Sequence, residues 1–313
     1  MRVFTAEEVF ELAPMAQVVE CLRLAFAAGH RVSPRQVATI PGGKGDRLLL
    51  YMPAFDPEGG GAVKLATIFP DNGMSSLPTI QAALVVFSSR GTPVAVLDGA
   101  AVTRLRTAAA SALASTYLSR ADSTRLLIVG TGALAPYMAL AHCTVRPIGE
   151  VGVWGRCGER ASATAAQIRA LVGQQVNVRT VPSLDGAAQT ADIICCATSS
   201  AHPLLEGEWL RCGAFVDLVG SFSPERREAD DETVRRARIF VDTFDGALTE
   251  AGDLLDPLRR GVISEARIEG ELADLVSSRV TGRCHDQEII LFKSVGTAVE
   301  DLAVAQMIVK RAR

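Results

Sequence analysis

The pattern of apolar and polar positions changes its period partway along the chain. Residues 5–29 repeat apolar side chains at helical spacing and begin with Thr5 and Glu8, the sequence of a capping box, so a helix is predicted there. Four later runs have the apolar, β-branched character of strands: 48–52, 63–69, 80–87 and 94–97. The turn SSRGTP joins the last two into a predicted hairpin, and an alanine-rich segment after it predicts a long helix. This part of the chain therefore predicts an α+β domain.

Beyond Asp122 the strands become fully apolar and alternate with helical patterns. Six segments have this character: RLLIVG, EVGVWG, VNVRTV, ADIICCAT, AFVDLVG and RIFVDT. Apolar strands that alternate with helices predict an α/β fold, a doubly wound parallel sheet (Rossmann domain) covered on both faces. A further strand, EIILFKSVG, and a helix, TAVEDLAVAQMIVKRA, close the chain. We therefore predict two domains, one formed by residues 1–120 with 297–313 and a doubly wound one formed by residues 121–296.

The first of these apolar strands leads into a glycine turn. Gly130, Gly132 and Ala135 form the pattern G-x-G-x-x-A between a predicted strand and a predicted helix. In dinucleotide-binding folds the first glycine permits the tight turn, the second lets the backbone approach a pyrophosphate, and the third small residue lets helix and strand pack closely. The amides of the helix N-terminus would bind the pyrophosphate. The turn therefore predicts a nicotinamide dinucleotide as cofactor, and a purely structural turn is the alternative.

The end of the second apolar strand indicates which dinucleotide is bound. NAD-binding domains usually carry Asp or Glu there, about 20 residues after the turn, to bind the ribose 2′-hydroxyl. This chain instead has Gly155 followed by Arg156. A carboxylate would repel a 2′-phosphate, whereas a guanidinium binds one in bidentate fashion. The sequence therefore favours NADPH over NADH, although Arg156 could also be a solvated loop cation and Arg160 could share the phosphate or lie on the helix surface.

Composition and charge argue against several classes of function. The 313 residues are 48% apolar and 21% charged, with a formal net charge of −3 and no basic run, which argues against a nucleic-acid partner. No apolar segment reaches the roughly 18 residues of a membrane span, and the N-terminus does not resemble a signal peptide. The seven cysteines include no C-x-x-C pair, and the four histidines lack metal-ligand spacing. We therefore expect a cytoplasmic protein without a metal site or membrane association.

Basic residues in apolar surroundings are the candidates for binding a substrate. Lys64 stands in GAVKLATIF, where it is either an edge residue with its ammonium in water or a buried cation that pairs with an anionic ligand. Arg106 lies two positions after Arg104 in a helix, so the two face different directions, and small residues follow that would allow close approach of a ligand. Arg35 lies in VSPRQV and could equally be a surface residue.

Motifs spread over nearly the whole chain resemble the ornithine cyclodeaminase/μ-crystallin family. They are SPRQ, VKLATIFPDN, LPTIQA, LDGAAVTRLRTAAASALASTYL, IVGTGALA, VWGR, VDLVGSFSPERREADD, EAGDLL and LFKSVGTAVEDLAVA. The resemblance implies a homodimer whose dimerising domain combines the N-terminal portion with the last helix. It also implies an active-site cleft between that domain and the doubly wound one.

The same resemblance assigns roles to individual residues. It implies that Arg35, Lys64 and Arg106 bind the α-carboxylate of a small substrate, that Thr79 lies beside the nicotinamide and that Val295 flanks the substrate. Five further positions would line the dinucleotide: Ala133, Leu134, Thr198, Val219 and Ser294.

One departure from the family pattern bears on the reaction. A cyclodeaminase carries an aspartate, its general acid/base, two residues after the glycine that ends the fifth strand, and this chain has Phe222 there. A phenyl ring cannot carry a proton, but a cyclic imine that is already formed needs only a hydride at carbon and a proton from solvent at nitrogen. Phe222 would then be an apolar wall for a small ring, or ordinary packing.

We therefore expect the branch of the family that reduces Δ1-pyrroline-2-carboxylate to L-proline and Δ1-piperideine-2-carboxylate to L-pipecolate with NADPH. Lys64, together with water, is the candidate for handling the proton near the imine nitrogen. The enzymatic alternatives are an ornithine cyclodeaminase and an amino-acid dehydrogenase of the alanine type. The alternative from another class is a crystallin-like protein that binds NADPH and a small molecule without turnover.

Overall fold

The computed structural model describes residues 1–28, 31–32, 35–41, 47–74 and 77–312. The chain divides into a first unit, Met1–Arg106 with Thr297–Arg313, and a second unit, Thr107–Gly296. The boundary between these units lies inside a helix, between Arg106 and Thr107, whereas the domains predicted from the sequence meet at residue 120. The second half of that helix belongs to the second unit, because Ser111 Oγ donates a 3.0 Å hydrogen bond to Asp217 Oδ1 of that unit.

The first unit is built on a seven-stranded, mainly antiparallel sheet. Its strands are β1 (Arg2–Phe4), β2 (Arg31–Val32), β3 (Gln36–Ile40), β4 (Arg47–Phe55), β5 (Gly61–Ile68), β6 (Ile80–Phe87) and β7 (Pro93–Asp98). Their order is β1-β7-β6-β5-β4-β2, and β3 pairs with β4 as well. The four predicted strands and the β6–β7 hairpin are confirmed. The short strands β1 to β3 were not predicted.

Helices within the described residues connect and cover the two sheets. They are α1 (Ala6–Leu12), α2 (Met15–Ala28), α3 (Gly99–Leu118), α4 (Ala135–Val145), α5 (Gly158–Val172), α6 (Leu184–Ala188), α7 (Asp231–Arg236), α8 (Phe244–Glu250), α9 (Gly252–Arg259), α10 (Leu272–Val276) and α11 (Ala298–Arg311). The capping box is confirmed, since Thr5 and Glu8 each bond the other's backbone amide. The single helix predicted over 5–29 is wrong, because Pro14 lies at the break between α1 and α2 and cannot continue a helical hydrogen-bond ladder.

The second unit is a doubly wound sheet of eight strands, all of whose pairs are parallel. The strands are β8 (Arg125–Val129), β9 (Glu150–Trp154), β10 (Asn177–Thr180), β11 (Ile193–Cys196), β12 (Phe215–Leu218), β13 (Arg238–Val241), β14 (Ile268–Glu271) and β15 (Ile290–Lys293). Their order is β10-β9-β8-β11-β12-β15-β13-β14. The α/β fold class and all six predicted strands are confirmed, and the structure inserts β15 between β12 and β13.

Burial explains why the strands of the second unit are apolar throughout. Ile128, Ile194 and Val216 are completely buried in adjacent strands, and α4, α5 and α6 pack on the sheet. In the first unit, α11 packs against α2 and against β4, β5 and β6, so the last helix of the chain covers the first sheet. No helix in the described ranges combines the length and apolar character that a membrane span requires.

Candidate active site

Gly130 and Gly132, in the turn between β8 and α4, are glycines for different reasons. Gly130 has φ +125°, and a Cβ there would lie 2.5 Å from the Ala197 carbonyl oxygen, so the fold itself requires glycine. A Cβ on Gly132 would meet nothing within 4 Å, which leaves the backbone open to a ligand. Ala135 is fully buried at the start of α4, where no side chain of the described residues caps the helix. The turn therefore fits the pyrophosphate of a dinucleotide.

The end of β9 lies beside this turn, because the strand register pairs Val129 with Trp154. A Cβ on Gly155 would collide with the Thr131 side chain, so an acidic residue does not fit there without a shift of that side chain. The Arg156 side chain, directly after it, is exposed. The edge of the sheet next to the glycine turn therefore carries a guanidinium and no carboxylate at the position that normally distinguishes NAD from NADP.

The other residues expected to line the dinucleotide follow the carboxyl ends of β8, β11, β12 and β15, which are neighbours in the sheet. Ala133 is exposed, Leu134 and Thr198 are half-buried, and Val219 and Ser294 are buried. Carboxyl ends of adjacent parallel strands share one edge, so the structure brings these five residues to the place where doubly wound folds bind their ligands.

Glu228 forms hydrogen bonds to the residues that follow β11 and β12. Its Oε1 accepts hydrogen bonds from the Thr198 amide at 2.7 Å and the Thr198 hydroxyl at 2.9 Å, and its Oε2 accepts from the Gly220 amide at 2.7 Å. Burial raises the pKa of Glu228 to about 7; the charge of Lys293 and the amide hydrogen bonds oppose this, and the charge of Asp253 adds to it. Glu228 therefore fixes the geometry of the β11 and β12 ends from inside the protein.

Asp242 fixes the geometry at the end of β15. Its Oδ2 accepts hydrogen bonds from the Ser294 hydroxyl at 3.1 Å, the Val295 amide at 2.8 Å and the Gly296 amide at 2.6 Å. Asp242 is completely buried, so these bonds replace its lost hydration. Asp242 thus fixes the position of the backbone at Ser294 and Val295.

In the first unit the structure brings Lys64 and Arg106 together on a pair of acids from α11. Lys64 Nζ lies 2.7 Å from Asp301 Oδ2 and donates a 2.9 Å hydrogen bond to Asp301 Oδ1. Arg106 Nε donates to Asp301 Oδ1 at 3.2 Å, and Arg106 Nη1 donates to Glu300 Oε2 at 2.7 Å. Lys64 is 2% exposed and Arg106 is 5% exposed. Lys64 is therefore buried and is not an edge residue with its ammonium in water, and the acid that it contacts is Asp301 of α11.

The charges of this group act strongly on one another. The pKa of Lys64 is lowered to about 8: burial lowers it most and the Arg106 and Arg35 charges add to this effect, while the Asp301 carboxylate opposes it. Burial alone would raise the pKa of Asp301, but the neighbouring Lys64 and Arg106 charges overcome this and hold it below its usual value. Arg35 is half-buried, and its charge acts on both Lys64 and Asp301. We call Arg35, Lys64 and Arg106 the cation cluster.

Thr79, in contrast, lies away from the cation cluster. It is exposed just before β6, and its carbonyl accepts a 2.8 Å hydrogen bond from the Phe69 amide. The register pairs Lys64 with Leu84, five residues along from Thr79, which corresponds to about 17 Å of strand. Within the first unit, Thr79 is therefore not a neighbour of the ammonium group.

Phe222 and Val295 belong to the second unit. Phe222 is half-buried and packs against the hydrophobic core of that unit, and Val295 is part of the core. Phe222 follows Ser221, whose hydroxyl donates to the Arg226 carbonyl at 2.7 Å. Phe222 thus combines packing on the core with an exposed portion, as an apolar wall would require.

The sequence analysis missed the buried acids beside the cation cluster and those at the ends of the strands in the second unit. Glu300 and Asp301 stand in the first turn of α11, where acidic residues are common because they interact well with the helix dipole. Asp242 directly follows β13, and Glu228 lies in the charged stretch ERREADD. Only their complete burial distinguishes them, and burial was not visible in the local pattern.

The core of the second unit holds a further polar group. His142 Nε2 lies 3.1 Å from Asp217 Oδ2, and the ligand atoms of His142, Cys195 and Asp217 lie within 4.8 Å of one another, close enough to hold a metal ion. Histidine spacing led us to expect no metal site, and these three residues are too far apart in sequence to form a motif. Asp217 also accepts from Ser111, so its two oxygens have partners from α3 and α4.

A doubly wound sheet with a glycine turn at its switch point is the architecture of NAD(P)-dependent oxidoreductases. The sequence model of the ornithine cyclodeaminase/mu-crystallin family matches residues 2–313. The chain belongs to this family.

Named relatives cover the chain from end to end. A Δ1-pyrroline-2-carboxylate reductase of Colwellia psychrerythraea is 36% identical and covers 99% of this chain and 99% of its own length. The structure of the Thermococcus litoralis Δ1-pyrroline-2-carboxylate reductase with NADH and L-proline matches with a TM-score of 0.95 and 33% identity, over 100% of this chain and 97% of that one. An archaeal alanine dehydrogenase dimer with bound NAD matches with a TM-score of 0.91 and 27% identity, over 100% and 96%. The chain is thus an NAD(P)H-dependent oxidoreductase.

Proposed function

We propose that this protein reduces a cyclic α-imino acid with NADPH, converting Δ1-pyrroline-2-carboxylate to L-proline and Δ1-piperideine-2-carboxylate to L-pipecolate. The observation that carries the proposal is the buried pairing of Lys64 and Arg106 on Asp301. Lys64 and Arg106 are buried beside each other on Asp301, and the charge of Arg35 acts on the same group, so three positive side chains can contribute to binding an acid. The relatives that bind L-proline or are named for pyrroline carboxylate support the choice of acid.

The cation cluster suits an acid as its ligand. The ammonium of Lys64 and the guanidinium of Arg106 meet at Glu300 and Asp301, and the charge of Arg35 acts on both Lys64 and Asp301. Arginine binds carboxylates through two parallel hydrogen bonds, and this fixes the orientation of the substrate as well as its position.

The chemistry then needs little more than positioning. The reduced nicotinamide, when bound at the glycine turn, supplies the hydride. The cation cluster binds the α-carboxylate. Lys64, whose pKa near 8 leaves it mostly protonated at neutral pH, donates a proton to the imine nitrogen and recovers it from water. Orienting the reacting groups and excluding solvent supply much of the rate.

The preference for NADPH rests on Gly155 and Arg156. An acid at 155 would collide with Thr131 and would repel a phosphate, whereas the exposed Arg156 guanidinium binds one. The structural relatives named above carry NADH or NAD, so NADH is the alternative cofactor.

We also propose a cytoplasmic homodimer. Tyr51, Leu65 and Ala83 are register partners across β4, β5 and β6, and all three are exposed on one face of the first sheet. An apolar sheet face of this kind is typical of a surface that a partner covers. A second copy of this chain is the partner we propose, because the matching alanine dehydrogenase is a dimer. The seven cysteines are free, as expected in a reducing compartment.

Spectrophotometry tests the proposed reaction. Purified protein mixed with Δ1-pyrroline-2-carboxylate and NADPH should oxidise the cofactor well above the rate without imine, and L-proline should accumulate in equal amount. Ammonia release from ornithine without added reductant would instead indicate a cyclodeaminase, and consumption of pyruvate with ammonia an alanine-type dehydrogenase. Tight NADPH binding without turnover of either ring would indicate a binding protein.

A further inference from the structure

Asp301 connects two buried cations, Lys64 and Arg106. The first turn of α11 begins after Thr297, whose hydroxyl caps the helix, and presents Asp301 toward β5 and α3. Its Oδ1 accepts from both Lys64 Nζ and Arg106 Nε, while its Oδ2 lies 2.7 Å from the same ammonium. Asp301 is 1% exposed, so water does not screen these interactions.

Because of the groups around Lys64, the Asp301 carboxylate determines whether Lys64 is charged. The ammonium faces Asp301 from α11, Arg106 from α3 and Arg35 from the segment before β3. It also donates to Thr103 Oγ1 at 3.4 Å. Burial and the two arginines disfavour the protonated amine, and among these described neighbours Asp301 alone favours it.

We propose that Asp301 is a positioning residue of the reduction, which keeps a proton on Lys64 Nζ and holds the Lys64 and Arg106 head groups in one fixed arrangement. This inference rests on the proposed function and assigns Asp301 no contact with substrate or cofactor. In the reaction the Lys64 N–H bond breaks, an N–H bond forms on the imine nitrogen, and the free amine of Lys64 takes a proton from water. Asp301 remains ionised throughout, because its role is to stabilise the ammonium form.

Glu300 provides a matched control within the same helical turn. It is also a buried acid, and it binds Arg106 at 2.7 Å, whereas Asp301 binds both cations. Asp301→Asn and Glu300→Gln each remove one negative charge and keep the size of the side chain. Glu300→Gln should therefore act through Arg106 on KM, while Asp301→Asn should change kcat and its pH dependence.

The experiment measures kcat and KM for Δ1-pyrroline-2-carboxylate across pH in the wild-type enzyme and both variants. The wild-type kcat should fall as Lys64 deprotonates, near pH 8. In Asp301→Asn this alkaline limb should move to lower pH by about one to three units, since an opposite charge in contact has been removed. In Glu300→Gln the limb should stay in place while KM rises. An unmoved limb in Asp301→Asn, or an equal shift in both variants, would overturn the proposal.

A double variant covers the case in which Asp301→Asn does not fold. Lys64→Met with Asp301→Asn removes both charges of the pair and leaves neither one buried alone, which proteins tolerate far better. If Asp301 acts on kcat through Lys64, the double variant should have the kcat of Lys64→Met alone, while its KM rises because Arg106 has lost the same carboxylate. A further loss of kcat would contradict the proposal. Wild-type turnover is measured first: its absence rejects the reduction together with the role of Asp301, whereas turnover with an unmoved limb rejects only that role.

Discussion

Lys64 Nζ lies 2.7 Å from Asp301 Oδ2, although 237 residues separate the two in the chain. The contact joins β5, in the middle of the first sheet, to α11. A carboxylate stabilises the charge of an ammonium at this depth, because burial removes the ammonium from bulk water. The acid of the last helix thus decides whether the lysine of β5 is a cation or a neutral amine.

Removing either buried cation should abolish most of the activity. Lys64→Ala and Arg106→Ala should each lower kcat/KM by on the order of 10²-fold or more, because a charge-assisted hydrogen bond to the carboxylate is lost. Steady-state kinetics with Δ1-pyrroline-2-carboxylate measures this, and thermal melts check that each variant is folded. Arg104→Ala, in the same helix, is the control and should leave kcat/KM within about twofold. Unchanged kcat/KM in both cation variants would remove them from the site.

The cofactor preference should follow the charge at residue 156. Arg156→Asp should lower kcat/KM for NADPH and raise the ratio of NADH to NADPH use by on the order of tenfold or more, since a phosphate then meets a carboxylate. Arg90→Asp makes the same charge change in the β6–β7 turn of the first unit and should leave the ratio unchanged. A constant ratio in Arg156→Asp would contradict the phosphate role.

The stability of the second unit should depend on pH through Glu228. Its pKa is raised from 4.5 to about 7, so between these values the folded protein keeps a proton that the unfolded chain has lost. The free energy of unfolding should therefore fall as pH rises from 4.5 to 7, by up to about 3 kcal/mol, and stay level above. Urea denaturation at several pH values measures the slope.

Glu228→Gln should remove this part of the slope, because glutamine does not titrate. Glu225→Gln, a nearby exposed carboxyl whose pKa is lowered by hydrogen bonding to Ser223, is the control and should keep the wild-type slope over that range. Equal slopes in the wild type and Glu228→Gln would show that another group binds the proton.

The exposed face of the first sheet should hold two copies together. Leu65→Glu places a charge in the middle of that face and should convert the dimer into a monomer, as light scattering after size exclusion would show. Leu171→Glu, at an equally exposed leucine of α5 in the second unit, is the control and should remain dimeric. A dimeric Leu65→Glu, or a monomeric wild type, would place the contact elsewhere or exclude it.

The sequence was most informative where one local pattern decides the structure. β8 and β11 are apolar on both faces because both faces are covered, and such runs cannot be mistaken for half-exposed strands. β14 was missed because its sequence, IEGE, alternates polar residues at the edge of the sheet. The insertion of β15 beside β12 was not predictable either, since strand order depends on distant pairing and leaves no periodicity.

The residues of the candidate site likewise fall into those that the sequence reveals and those that only the fold reveals. Lys64 is a charge in an apolar strand, and Gly132 belongs to a glycine motif between a strand and a helix, so local sequence singled out both. Asp301 and Glu228 do not break any pattern, because acids are ordinary in a first helical turn and in a charged loop. Their importance comes from partners far away in the sequence, which only the fold reveals.

The helix α11 belongs to the first unit, yet it follows the whole of the second unit in the chain. During synthesis the central segment can therefore complete its own sheet while the earlier one still lacks its cover. Until the final helix leaves the ribosome, the amine of β5 has no acid to pair with and the first core stays open. The first unit can thus be completed only after the second unit has been synthesised, and a chain that stopped before residue 297 would lack the acid that pairs with Lys64.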